Sequence, residues 1–104
     1  MDLWGEVKKL EGRELHTLDR GRPLRVLDVG ADYVLIVTSK SKRRSIRWIE
    51  IQNSWDYLER HGQITRTKIM ESYSGFNPAY VAVIIANVAG VKRSIRPIVL
   101  RFGQ

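Results

Sequence analysis

Residues 77–90 read Asn-Pro-Ala-Tyr-Val-Ala-Val-Ile-Ile-Ala-Asn-Val-Ala-Gly and hold the longest unbroken apolar run of the 104-residue chain, Ala79 to Ala86. The wider segment 72–91 carries no charged side chain. Asn77 is a good N-cap, and Pro78 suits the first helical position, where its missing N–H is not needed. Gly90 offers a stop. The stretch therefore predicts a helix from Pro78 to about Ala89. Phe76 ahead of the cap and Val81 inside the helix predict a hydrophobic staple across its start. On the helical wheel Val81, Ile84, Ile85 and Val88 form a bulky stripe, while Ala79, Ala82, Ala86 and Ala89 form a second stripe of small residues. A helix with two apolar faces belongs inside a domain. The bulky face suits a sheet, and the alanine face lets another helix approach closely.

Two more helices are expected upstream. Trp48, Ile51, Trp55 and Leu58 recur at helical spacing, with Glu50, Gln52, Asp56, Glu59 and Arg60 on the other face and Gly62 as the stop. Thr65 is a cap for the next helix, Ile64 and Ile69 can staple it, and Met70 and Tyr73 extend its apolar side to Ser74-Gly75. Asp2 can start a short N-terminal helix bearing Leu3, Val7 and Leu10, closed by Gly12.

Between these helices the period is two. Strands are expected near Leu15, over Leu24–Val29, over Tyr33–Thr38 and over Ser45–Arg47. The turn chemistry of Asp19-Arg20-Gly21-Arg22-Pro23, of Gly30-Ala31-Asp32 and of the basic segment 39–44 separates them. Ser94–Phe102 reads as a C-terminal strand, with Pro97 forcing an edge position or a break. The expected fold is a single α+β domain over residues 1–104: an antiparallel β-meander of four to five strands packed on three helices, with a C-terminal strand.

Three helices followed by a strand is also the broad outline of a winged helix. In a helix-turn-helix, however, the recognition helix presents polar and basic residues to base edges. The helix in that place here offers only Tyr80, Asn87 and the capping Asn77, so it reads as core.

Charge is unevenly spread. Residues 1–37 hold six Lys or Arg against seven Asp or Glu, while residues 38–104 hold twelve against four. A surface with that excess attracts polyanions. Residues 38–47, Thr-Ser-Lys-Ser-Lys-Arg-Arg-Ser-Ile-Arg, contribute Lys40, Lys42, Arg43, Arg44 and Arg47 with no acid. Arg66 and Lys68 fall in the first turn of a helix, where cations oppose the macrodipole but can assist an anion at the free N–H groups. Lys92, Arg93 and Arg96, together with Arg101, form a third cluster. It merges with the first if the last strand lies beside the strand ending at Arg47.

Catalysis lacks a constellation. There is no Cys, His16 and His61 are isolated, and no phosphate-binding glycine loop or nucleophile motif is present. The expectation is a non-enzymatic domain with no cofactor or metal. The opening residues lack the pattern of a signal peptide, and no apolar run is long enough to span a bilayer, so a cytoplasmic protein that does not enter membranes is expected. Trp48, Trp55, Tyr73 and Phe76 fall at core spacing, whereas Tyr57 and Tyr80 are expected at the surface. The preferred function is nucleic-acid binding, with duplex DNA first, through backbone phosphates. The competing expectation is a protein-interaction module or homodimeric accessory subunit, with a contact near Tyr80 and Val83 and a basic loop that is merely solvated.

Overall fold

The computed structural model describes residues 2–103. A short helix α1 (Leu3–Lys8) leads into four strands, β1 (Glu14–His16), β2 (Pro23–Val29), β3 (Tyr33–Thr38) and β4 (Arg43–Arg47), paired antiparallel in chain order. This is the expected meander. Its inner face is set by strict alternation: Val34, Ile36 and Ile46 are fully buried, while Tyr33, Arg43 and Arg47 face outward. A register shift between Val26 and Asp28 bends β2. Beyond the bend, Glu11 caps the sheet end. Its carboxylate accepts from the Val29 N–H (2.8 Å) and from Lys8 (2.9 Å), and these bonds hold its pKa below the usual glutamate value. Trp4 donates to the Gly30 carbonyl at 3.0 Å. A Cβ at Gly30 would sit 2.6 Å from the Tyr33 ring, so a side chain there would displace that ring.

The second half begins with α2 (Trp48–His61), which ends at Gly62 in the left-handed region (φ 81°). Then come β5 (Gln63–Thr65), α3 (Arg66–Ser72), α4 (Pro78–Ala86), β6 (Val91–Ile95) and β7 (Ile98–Phe102). The last two strands form a hairpin, and β5 joins it in a second sheet of order β5-β7-β6. The expected C-terminal strand is thus two strands, broken at Arg96-Pro97 because proline cannot supply the ladder N–H.

α4 is shorter at its C-terminal end than the sequence suggests, closing at Ala86, but its burial is more complete. Val81, Ala82, Val83, Ile84 and Ile85 are consecutive buried residues. Burial of five successive positions leaves no exposed stripe. The reason is the number of neighbours: α4 touches α2, α3, β1, β6 and β7. The meander, through β1, therefore packs on the same helix that the second half wraps. Val83, expected near a partner surface, is 0% exposed and lies in the core. The Phe76–Val81 staple does not form, because Phe76 is 90% exposed while Val81 is buried. Met70 is likewise on the surface.

A buried carboxylate ties α2 to the α3–α4 connection. Glu50 accepts from the Arg47 backbone N–H (2.9 Å) and from the Ser74 hydroxyl (2.6 Å). The first bond satisfies a free donor at the helix start, and the second anchors the loop ahead of α4. Glu50→Ala leaves the buried Ser74 hydroxyl and the Arg47 N–H without partners. It is expected to lower stability by about 2–4 kcal/mol, read as a lower urea midpoint at unchanged m-value.

Candidate nucleic-acid interface

The basic loop is shorter and firmer than a flexible arm. β4 starts at Arg43, so only Ser39–Lys42 lie outside the strands. Thr38 holds both sides of this loop. Its N–H donates to the Lys42 carbonyl (2.8 Å), its carbonyl accepts from the Ser41 N–H (2.9 Å), and its hydroxyl accepts from the Lys42 N–H (3.3 Å). Ser41 takes φ 60°, which closes the tip.

Strand alternation then divides the expected cations. Arg44 shares the face of buried Ile46, whereas Arg43 and Arg47 point to the opposite, outer face. On the inner side an open cleft of about 270 Å³ is lined by Thr17, Arg22, Pro23, Thr38, Ser39, Lys40, Lys42, Arg44 and Tyr80. Four of these are cations, three carry hydroxyls on short side chains, and none is a carboxylate. Arg44 is fixed at the wall. Its guanidinium donates to the Phe76 carbonyl (3.3 Å) and to Asn77 Oδ1 (3.1 Å), and lies 5.6 Å from the centre of the Tyr80 ring. Arg22 enters from the β1–β2 turn, whose ends are held by the bond from Thr17 N–H to the Arg22 carbonyl (2.9 Å).

The C-terminal cluster does not join through a shared sheet, because β4 and β7 belong to different sheets. The link is the β1–β2 turn. Thr17 also lines the next hollow, with His16, Leu18, Gly21, Arg93 and Ile95. Ile95 in turn lines a third hollow, with Asp19, Arg66 and Pro97. Three hollows, each sharing one lining residue with the next and here called the groove, thus follow one another from the 39–42 loop, past the β1–β2 turn, to the β6–β7 hairpin.

The remaining expected cations are placed elsewhere. Arg66 faces Asp19 at 3.6 Å, the one acid on the groove's far end. Lys68 lies over the rings of Tyr57 (5.1 Å) and Tyr73 (5.9 Å) and lines a separate hollow with His61. Arg47 stands 3.7 Å from Glu50. Lys92 pairs with Arg101 on the opposite side of β6 from Arg93, and Arg96 is exposed at the hairpin turn. Trp55 is buried, and Trp48 and Tyr73 pack against the core, but Phe76 stands in solvent. Tyr57 and Tyr80, expected at the surface, are partly buried. Arg22 was legible only as turn chemistry; its signal as a site residue was a cation in a turn that alternation places at the same sheet end as the 39–42 loop.

No helix among the described residues is long and apolar enough to cross a membrane. Comparison with known proteins finds no family model that matches the chain and no similar curated protein or solved structure, so the surface is read from its own geometry.

Proposed function

We propose that the protein is a cytoplasmic, non-enzymatic nucleic-acid-binding domain that grips the phosphate backbone of duplex DNA in this groove. The observation that carries the reading is the cleft itself: Arg22, Lys40, Lys42 and Arg44 converge on one concavity without a carboxylate, and Arg93 continues the line. Cations so grouped repel one another, and among the four only the Arg44 side chain bonds other parts of the fold. A polyanion relieves that repulsion and releases its own counterions. The hydroxyls of Thr17, Thr38 and Ser39 add donors suited to phosphate oxygens. Arg44, held by Asn77 and by the Phe76 carbonyl, is ordered before binding and loses little freedom on it.

Five phosphate contacts give a slope of log K against log salt of about −4.5 for duplex DNA, or roughly 500-fold weaker binding between 50 and 200 mM salt. Fluorescence anisotropy with a short labelled duplex at several salt concentrations measures it. A slope near zero, or no binding at low salt, removes the proposal.

A second reading keeps the domain as a protein-interaction module or homodimeric accessory subunit. It is favoured by the outer face of the first sheet, where exposed Tyr33 and half-buried Leu35 and Val37 lie beside Arg25 and Arg43. This reading gives a dimer or complex in light scattering and no salt-dependent affinity for DNA.

A further inference from the structure

Phe76 is the most exposed of the large hydrophobic side chains in the described structure, at 90%. Leaving it in water forgoes a burial that would stabilise the fold. Nothing in its position forces this exposure through looseness. The backbone on either side is held: Ser74 is buried and bonded to Glu50, and Asn77 is buried with its side chain accepting from Arg44. The Phe76 carbonyl itself accepts from Arg44. A loop held at both ends by hydrogen bonds therefore projects one aromatic ring into solvent, and the ring's own carbonyl bonds a guanidinium that lines the cationic cleft.

We propose that Phe76 is a stacking platform for an unpaired nucleobase, and that the ligand of this groove is DNA carrying such a base, at a bulge, gap or single-stranded stretch. This rests on the nucleic-acid reading of the cleft and adds a substrate class to it. A base offers a flat π-face of the kind Phe stacks upon, and that face is free only where the base has left the duplex stack. The adjoining phosphates would meet Arg44, Lys42 and Lys40, since Arg44 is the shared neighbour of the ring's own backbone and of the cleft. A ring on a held backbone beside the bonded Arg44 would meet the two parts of one nucleotide side by side. Tyr80 does not serve this role, because Arg44 already covers its ring.

The test uses the full chain and two DNA probes of equal length: an intact duplex, and the same duplex with one bulged 2-aminopurine. The expected result is tighter binding of the bulged probe and quenching of 2-aminopurine on binding. Phe76→Ala is expected to weaken the bulged probe about 5- to 150-fold, the range of one base stack, and to leave the intact duplex unchanged. Phe76→Trp is expected to retain the preference, and Phe76→Leu to lose it. The side chain is exposed, so these variants are expected to melt like the parent. If the parent binds the intact duplex but shows no preference for the bulge and no quenching, the stacking proposal is overturned while the phosphate reading stands. If it binds neither probe, both fall. Loss of self-association in Phe76→Ala, with both DNA affinities unchanged, would make the ring a protein contact and also overturn the proposal.

Discussion

The triple reversal Arg22→Glu, Lys40→Glu, Lys42→Glu is expected to remove measurable duplex binding at 100 mM salt and to shift Tm by only a few degrees. The structure separates these two effects because the three side chains have no structural duty. Their residues are exposed, and none of the ion pairs of the described structure involves them. The hydrogen bonds that shape the two turns use the backbones of Arg22 and Lys42, which substitution leaves in place. Surface changes of this kind usually alter stability by about 0.5 kcal/mol or less each. Binding responds differently. Three phosphate contacts become three repulsions, and only Arg44 and Arg93 remain to grip, so the salt slope falls from about −4.5 to no steeper than about −1.8. Arg44 is spared deliberately. Its guanidinium holds Phe76 and Asn77, so reversing it would disturb the loop and the charge together. The matched control is Arg13→Glu, Arg60→Glu, Arg101→Glu, which changes net charge equally at exposed positions outside the groove. Equal loss in both variants would mean that net charge alone attracts DNA. Undiminished binding in the cleft variant would remove the groove from consideration.

Much of the fold was legible because its signals are local. The meander is written in alternation, the starts of α3 and α4 in Thr65 and Asn77-Pro78, and the stop of α2 in Gly62, whereas α4 closes at Ala86, short of Gly90. Pro97 announced the break in the last strand. What sequence could not carry was the packing between distant segments. Phe76 has the spacing of a staple, yet the Arg44 bond to its carbonyl fixes the loop in a path that leaves the ring outside. Lys68 reads as an anion-seeking cation until Tyr57 and Tyr73 are seen beneath it. The same holds for the site. The 39–47 run names the right segment, but only strand register divides Arg44 from Arg43 and Arg47. Arg22, twenty residues away in sequence, becomes their neighbour because β1–β2 and β3–β4 turn at the same end of one sheet.

Val83→Lys is expected to unfold the domain, and it decides whether α4 is core or a surface that could read DNA. In a DNA-reading helix-turn-helix, the middle of the second motif helix faces bases, and a lysine there would raise affinity. Here Val83 is 0% exposed and its helix is enclosed by elements of both halves. An ammonium at that position enters the apolar core, and its own helix offers no carboxylate, since residues 72–91 contain none. The penalty after relaxation is several kcal/mol, a large fraction of the 5–15 kcal/mol by which a domain of this size is typically stable. Ile84→Ala, which only empties space, is expected to cost about 2–5 kcal/mol and to leave a folded protein with a lower urea midpoint. The contrast between the two separates burial of charge from loss of packing. A Val83→Lys protein with native circular dichroism and stronger DNA binding would show that α4 presents a face to the groove. The expected failure instead makes α4 core and leaves the proposed contacts to the turns around it. The charge-free segment ends at Glu71 and Lys92, and the groove is built from turns that surround α4 rather than from α4 itself. On that arrangement the helix supplies rigidity and one aromatic wall, Tyr80, while the β1–β2 turn, the 39–42 loop and Arg93 supply the charge.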